Sequence, residues 1–209
     1  MNSNPAPSRR NYWLKTLHRW HWISSAFCLA GMLVFAATGI TLNHAAAIEA
    51  SPRVVSRIEP IPAALLEQAE SLAQDEKKAP LPPSMLAWLA DRWDIHASDR
   101  VAEWSKDEIY LSLPRPGGDA WVSIDLAAGE AEYETTDRGW VSYLNDLHKG
   151  RNTGSAWSLF IDLFAVACLI FSVTGLFLLK MHAGNRAATW PMVGLGIAMP
   201  AVLALVFIH

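Results

Sequence analysis

The chain has 209 residues, 52% of them hydrophobic and 18% charged, with a formal net charge of −3. Length and composition fit either one large domain or a small membrane protein carrying one soluble insert. The placement of the apolar residues decides for the second, and the charge balance excludes a nucleic-acid-binding role.

A basic tail, residues 1–21, contains Arg9, Arg10, Lys15 and Arg19 and ends in "LHRWHW". From Trp22 to Asn43 no residue is charged, and at 1.5 Å per residue that run is long enough to cross a hydrocarbon core of roughly 30 Å. It also exceeds the apolar core of a secretory signal, roughly 7–15 residues, so residues 22–44 are predicted to be a first transmembrane helix. Residues 45–147 are predicted to form a soluble α+β domain. It opens with a helical patch in "PAALLEQAESLAQ", where Leu65, Leu66, Ala69 and Leu72 share a face, and a break at "APLPPS" follows. Ser84 is predicted to cap a second helix whose stripe is Leu86, Leu89 and Trp93. The period then becomes two in "VAEWS", "EIYLSL", "AWVSIDL" and "EAEYET", separated by turn compositions, as in an antiparallel meander. Its His96 lacks any companion at ligand spacing. Residues 148–181 give an outer loop and a second span, uncharged from Ser155 to Leu179 except at Asp162. Residues 182–189 form a loop and 190–209 a third, shorter span. The expected architecture is a three-helix transmembrane bundle with the α+β domain inserted between helices 1 and 2.

Basic residues flank the first span at its start and the second at its end, so the N-terminus and the 182–189 loop are expected in the cytoplasm and residues 45–147 on the far side of the membrane. That domain holds 19 acidic against 9 basic residues. Such a surface speaks against nucleic acid or anionic lipid as its partner and allows a cationic protein or metal complex. Cys28 and Cys168 fall inside spans at depths expected to differ by about 9 Å, which predicts no disulfide.

The two long spans repeat one another. "LHRWHW…FAATGITLNH" and "LHKGRN…FSVTGLFLLKMH" share Leu-His-basic, then Phe-x-x-Thr-Gly, then a closing histidine. Antiparallel spans would group His18, His21 and His182 at the inner level and His44 with His148 at the outer. Facing helices that carry imidazoles at matched depth are a way of holding haem iron. Gly31, Gly39 and Gly175 would leave room for a macrocycle or a close helix contact. Asp162 could orient a ligating imidazole, take a proton from a quinol, or bond to a neighbouring helix. The competing reading makes the histidines and tryptophans interface anchors.

At "LHRWHW", "TGITLNH", "LHKGRNTG", "ID" at 161–162 and "SVTGLFLL" the chain resembles the PepSY-associated transmembrane family of bacterial inner-membrane proteins in its short form. Residues from about Pro80 to Asp137 are similar to a PepSY-like module. The resemblance implies one or two haems b held by His18 or His21, His44, His148 and His182, and an electron path to an exported flavoprotein or a ferric chelate. The donor would be a quinol or a cytoplasmic reductase, the lipid bilayer a constant partner, and a homo-oligomer is left open. The rival expectation is a haem-free anchor whose PepSY-like domain binds a peptide or protein. No G-x-G-x-x-G occurs, which argues against direct nicotinamide oxidation.

Overall fold

The structure, a computed structural model, describes residues 9–48, 51–73, 77–182, 184 and 186–208. The expected terminal position of His209 and the start of the basic tail lie outside them. Contacts divide the chain into two compact units, residues 1–34 with 159–209, and residues 35–158. Three helices among the described residues are long and apolar enough to cross a membrane: α1 (Arg9–Asn43), α5 (Gly154–His182) and α6 (Thr189–Phe207). The first begins well inside the stretch expected to be a tail, because "RRNYWLKTLHRW" has neither proline nor glycine to interrupt it.

In the first unit, α1 and α5 run antiparallel along a seam of small residues. His21 meets Phe171 and Thr174, and Gly31 meets Phe164. Ser24 and Cys28, one turn apart, are buried on the same face. Without a hydrophobic drive between helices in lipid, close packing of small residues is what holds such a seam. A Cβ on Gly31 would stand 2.4 Å from Cε2 of Phe164, so the ring occupies the space the glycine leaves. Cys28 and Cys168 prove to be neighbours: both are free, and their thiols share a hydrogen bond. Counting helix rise from the span ends misjudged their depths, because α1 starts earlier and α5 ends later than the apolar runs do. No residue of α6 is buried.

The second unit carries a six-stranded, wholly antiparallel sheet: β1 (Arg53–Pro60), β2 (Lys77–Ala79), β3 (Ala102–Trp104), β4 (Glu108–Ser112), β5 (Gly118–Asp125) and β6 (Glu130–Asp137), in the order β1-β6-β5-β4-β3-β2. The expected meander is β3 to β6. In β5 the buried positions alternate as Ala120, Val122 and Ile124, and they pack with Ile109 and Leu111 of β4. Helices α2 (Ala63–Leu72) and α3 (Pro83–Trp93) complete this core. The buried stripe of α3 is Met85, Leu89 and Trp93, with Leu86 only partly covered. Leu72 of α2 stays exposed while Ala69 is buried. Ser84 does not cap α3. Pro83 opens the helix, where its missing N–H costs nothing, and the Ser84 hydroxyl bonds Gln68 at 2.6 Å.

Between β6 and α5 lies a further helix, α4 (Gly139–Lys149), in a stretch for which the sequence suggested no element. Gly150, in the left-handed region at φ 66°, ends it. Asp146, buried at 5% exposure, ties α4 to the sheet: its carboxylate accepts the Gly117 N–H at 2.9 Å and faces Arg138 at 3.5 Å and Arg151 at 3.8 Å.

Candidate functional site: two imidazole seats

Each Phe-x-x-Thr-Gly box forms one side of a seat for a histidine from elsewhere in the chain. In the second unit the box is Phe35, Thr38 and Gly39 near the end of α1, and the ring is His148 near the end of α4. His148 Nδ1 lies 2.6 Å from the Thr38 hydroxyl, which directs its own proton to the Phe35 carbonyl at 3.1 Å. The hydroxyl oxygen therefore accepts from Nδ1–H. The Phe35 ring leans on the imidazole with centroids 4.9 Å apart, and a Cβ on Gly39 would reach ordinary contact with its Cε1 at 3.7 Å. Next to it, the Thr41 hydroxyl donates to Asn145 Oδ1 at 2.8 Å.

The first unit repeats this with Phe171, Thr174 and Gly175 on α5 and His21 on α1. His21 Nδ1 stands 3.1 Å from the Phe171 carbonyl and 3.1 Å from the Thr174 hydroxyl, whose proton is taken by Ile170 and Phe171 carbonyls. Phe171 stacks on the ring at 4.6 Å and 16°. A Cβ on Gly175 would press His21 Cε1 at 3.3 Å, a tight contact that glycine avoids. The same three residue types do the same three things twice: one lays its ring against the imidazole, one meets Nδ1 with a hydroxyl, one stands aside.

The other three of the five imidazoles each bond to the main chain one turn earlier in their own segment. His18, His44 and His182 each direct Nδ1 at the carbonyl four residues earlier, Leu14, Ile40 and Leu178, at 2.8, 3.0 and 2.9 Å. A carbonyl only accepts, so Nδ1 carries the proton and a neutral ring keeps its Nε2 lone pair free. All five imidazoles that the sequence singled out thus share one tautomer. His18 and His182 touch edge to face at 5.6 Å. His21 and His182 line one groove of about 450 Å³ with Gly175, Leu178, Leu179 and Arg186. His44 is exposed, and among the described residues no hydrogen bond or ring contact joins it to His148.

Three expectations change. The partner of His148 in the repeat is His21, whereas matching "LHR" with "LHK" had paired it with His18. Of the two uses expected for the glycines, Gly31 serves the close helix contact, against Phe164, while Gly39 and Gly175 make room for imidazoles. Asp162 is exposed on α5 and orients none of the five imidazoles; Thr38, Thr174 and main-chain carbonyls take that part. The threonines entered the sequence reading only as members of the repeated box, with no role of their own. Their recurrence at the same offset from Phe and Gly was the signal of their role. No group of three or more His, Cys, Asp or Glu side chains that could hold a metal ion occurs among the described residues.

Comparison with protein families gives a match over residues 12–209 to the family described as PepSY_TM-like. The chain belongs to the PepSY_TM-like family. The match spans α1, the sheet and the apolar helices that follow, so both imidazole seats of this PepSY_TM-like chain fall inside it. Comparison with curated proteins and with solved structures gave no match.

Proposed function

We propose that this PepSY_TM-like chain is a membrane b-type cytochrome that carries electrons across the inner membrane, from a quinol or a cytoplasmic reductase to a flavoprotein or ferric chelate on the other side. In this reading α1, α5 and α6 form a three-span bundle with the sheet domain inserted outside, and the N-terminus stays in the cytoplasm. The supporting observation is the common tautomer: five imidazoles with Nδ1–H engaged and Nε2 left as a donor of electrons to a metal, two of them fixed in duplicate seats. A ligating histidine characteristically gives its other N–H to an oxygen that fixes the ring.

The residues fit haem better than a bare ion. A bare ion needs three or four side-chain ligands together, and the described residues supply none such. Iron in a porphyrin brings four nitrogens of its own and asks the protein for one or two axial imidazoles. His21 and His182 would hold one group, beside Leu178 and Leu179, with Arg186 able to pair with a carboxylate at the groove's edge. His148 with His44 would hold the other. Haem held by these histidines would supply a one-electron centre. The chain's own part is mechanical and electrostatic: Thr174, Thr38 and the carbonyls hold each ring and its proton, the phenylalanines fix its plane, and the leucines keep water from the groove.

The test is the iron-to-protein ratio of the purified full chain together with its absorption spectrum, oxidised and reduced. One or two irons per chain and a Soret band that moves on reduction are expected. A colourless preparation that takes up no haem ends the proposal and leaves the haem-free anchor.

A further inference from the structure

Helix α1 serves as a depth gauge for α4. The helix itself ends at Asn43, where polar Asn43 and His44 follow the apolar run, so its hydrocarbon segment closes near residue 43. Along it, Thr38 meets His148, Thr41 meets Asn145, and Ala45 and Ile48 share a groove with Trp140, Val141 and Ser142. The two segments therefore run side by side in opposite directions. His148 lies level with Thr38, about 7 Å inside the end of the helix, and Trp140 level with residues 45–48, in the turns beyond it. The polar headgroup zone occupies roughly 5–8 Å on each side of the hydrocarbon core. On that scale α4 would descend through the zone with its first turn among the headgroups.

Its exposed side chains suit the position. Trp140 is 71% and Tyr143 46% exposed, large values for aromatic rings one turn apart on one helix. Both border a groove of about 520 Å³ whose other wall is the β4–β5 turn, with Arg115, Pro116 and Gly117, and the end of β6 at Asp137. Arg115 is exposed and its guanidinium forms no ion pair among the described residues; Asp137 is engaged by the Gly139 N–H at 2.8 Å. The acidic balance of residues 45–147 spoke against anionic lipid as a partner for the domain as a whole, but at this groove Arg138 faces Asp146, Asp137 is the one lining carboxylate, and Arg115 is free of any ion pair among the described residues.

We propose that this groove is a seat for the headgroup of a membrane phospholipid, with the phosphate at Arg115 and the upper acyl chain along Trp140 and Tyr143. An aromatic ring with a polar edge is favoured at this level, and a guanidinium matches a phosphate bidentately. The seat holds the sheet domain against the bilayer, and it stands whether or not the imidazoles ligate haem.

The experiment uses the full chain in nanodiscs of phosphatidylcholine containing one-fifth phosphatidylglycerol. Because the chain has ten tryptophans, emission of Trp140 is read as the difference between the wild type and W140F. With lipids brominated at carbons 6 and 7 of the chain, that difference should fall at least twofold. Native mass spectrometry should show R115Q retaining one phosphatidylglycerol fewer than the wild type. W140F and R115Q alter exposed side chains, and circular dichroism verifies their fold. A difference emission untouched by bromine overturns the descent of α4, and an unchanged lipid count in R115Q overturns the headgroup seat.

Discussion

A threonine hydroxyl has one proton, and at both seats a main-chain carbonyl of the same helix turn is placed to take it, which turns the oxygen's lone pairs toward the imidazole. Thr174→Val keeps the shape and removes that acceptor. It should weaken haem retention by about 10–100-fold, as loss of a ligand's oxygen partner does at metal sites, read by haem titration of the stripped protein; Thr174→Ser should restore it. A purely packing role would predict equal retention in all three. Gly31→Ala addresses a different contact, since its Cβ would stand 2.4 Å from a buried phenylalanine ring. It should destabilise the α1–α5 seam by about 1–3 kcal/mol, seen as a lowered thermal midpoint in detergent. Tyr110, across the sheet from Glu103, has its hydroxyl pushed above the usual 10.0, first by burial and then by the charges of Asp119, Glu103, Glu108 and Glu134. A raised phenol holds its proton more tightly folded than unfolded, so its contribution is intact below pH 10 and is lost as pH rises above that value. The phenolate absorbance titration should lose its latest-titrating component in Tyr110→Phe.

At the scale of elements, α4 depends on the turn it leans against. Gly117 sits at φ +71°, and a Cβ there would lie 2.7 Å from Cα of Tyr143, a main-chain contact with no flexible end to give way. Gly117→Ala should cost at least about 2 kcal/mol from backbone strain and overpacking together, checked by thermal unfolding and by faster amide exchange in α4. The elements also mark what the sequence made legible. Strands β3 to β6 were visible because Val122, Ile124, Ile109 and Leu111 alternate with polar residues. Strand β1 was not, since nearly all of "RVVSRIEP" is exposed and no period of two divides it. Nor was α4, because its exposed Trp140 and Tyr143 obscure the stripe by which a soluble helix is recognised. The repeat was legible residue by residue, yet its register was not: which histidine meets which box depends on helix faces, and His21 shares the buried face of Ser24 and Cys28 while His18 does not.

For the whole molecule, the proposed electron transfer across the membrane would need both seats. His148→Ala should remove the haem of one seat and leave the other's spectrum in place, and His21→Ala should do the reverse, each halving the iron content of a two-haem protein. Loss of both haems from either single variant would mean a shared site. Helix α6 buries none of its residues, so a chain ending at Ala188 should keep its iron content when assayed in detergent.

The boxes and the rings are exchanged between segments. Helix α1 owns the cradle for His148 and supplies the guest for the cradle on α5. Divided between α2 and β2, the protein would yield two pieces, each with an empty chair and a sitter without one. Such fragments have reason to find each other, and pigment would return only on their reunion.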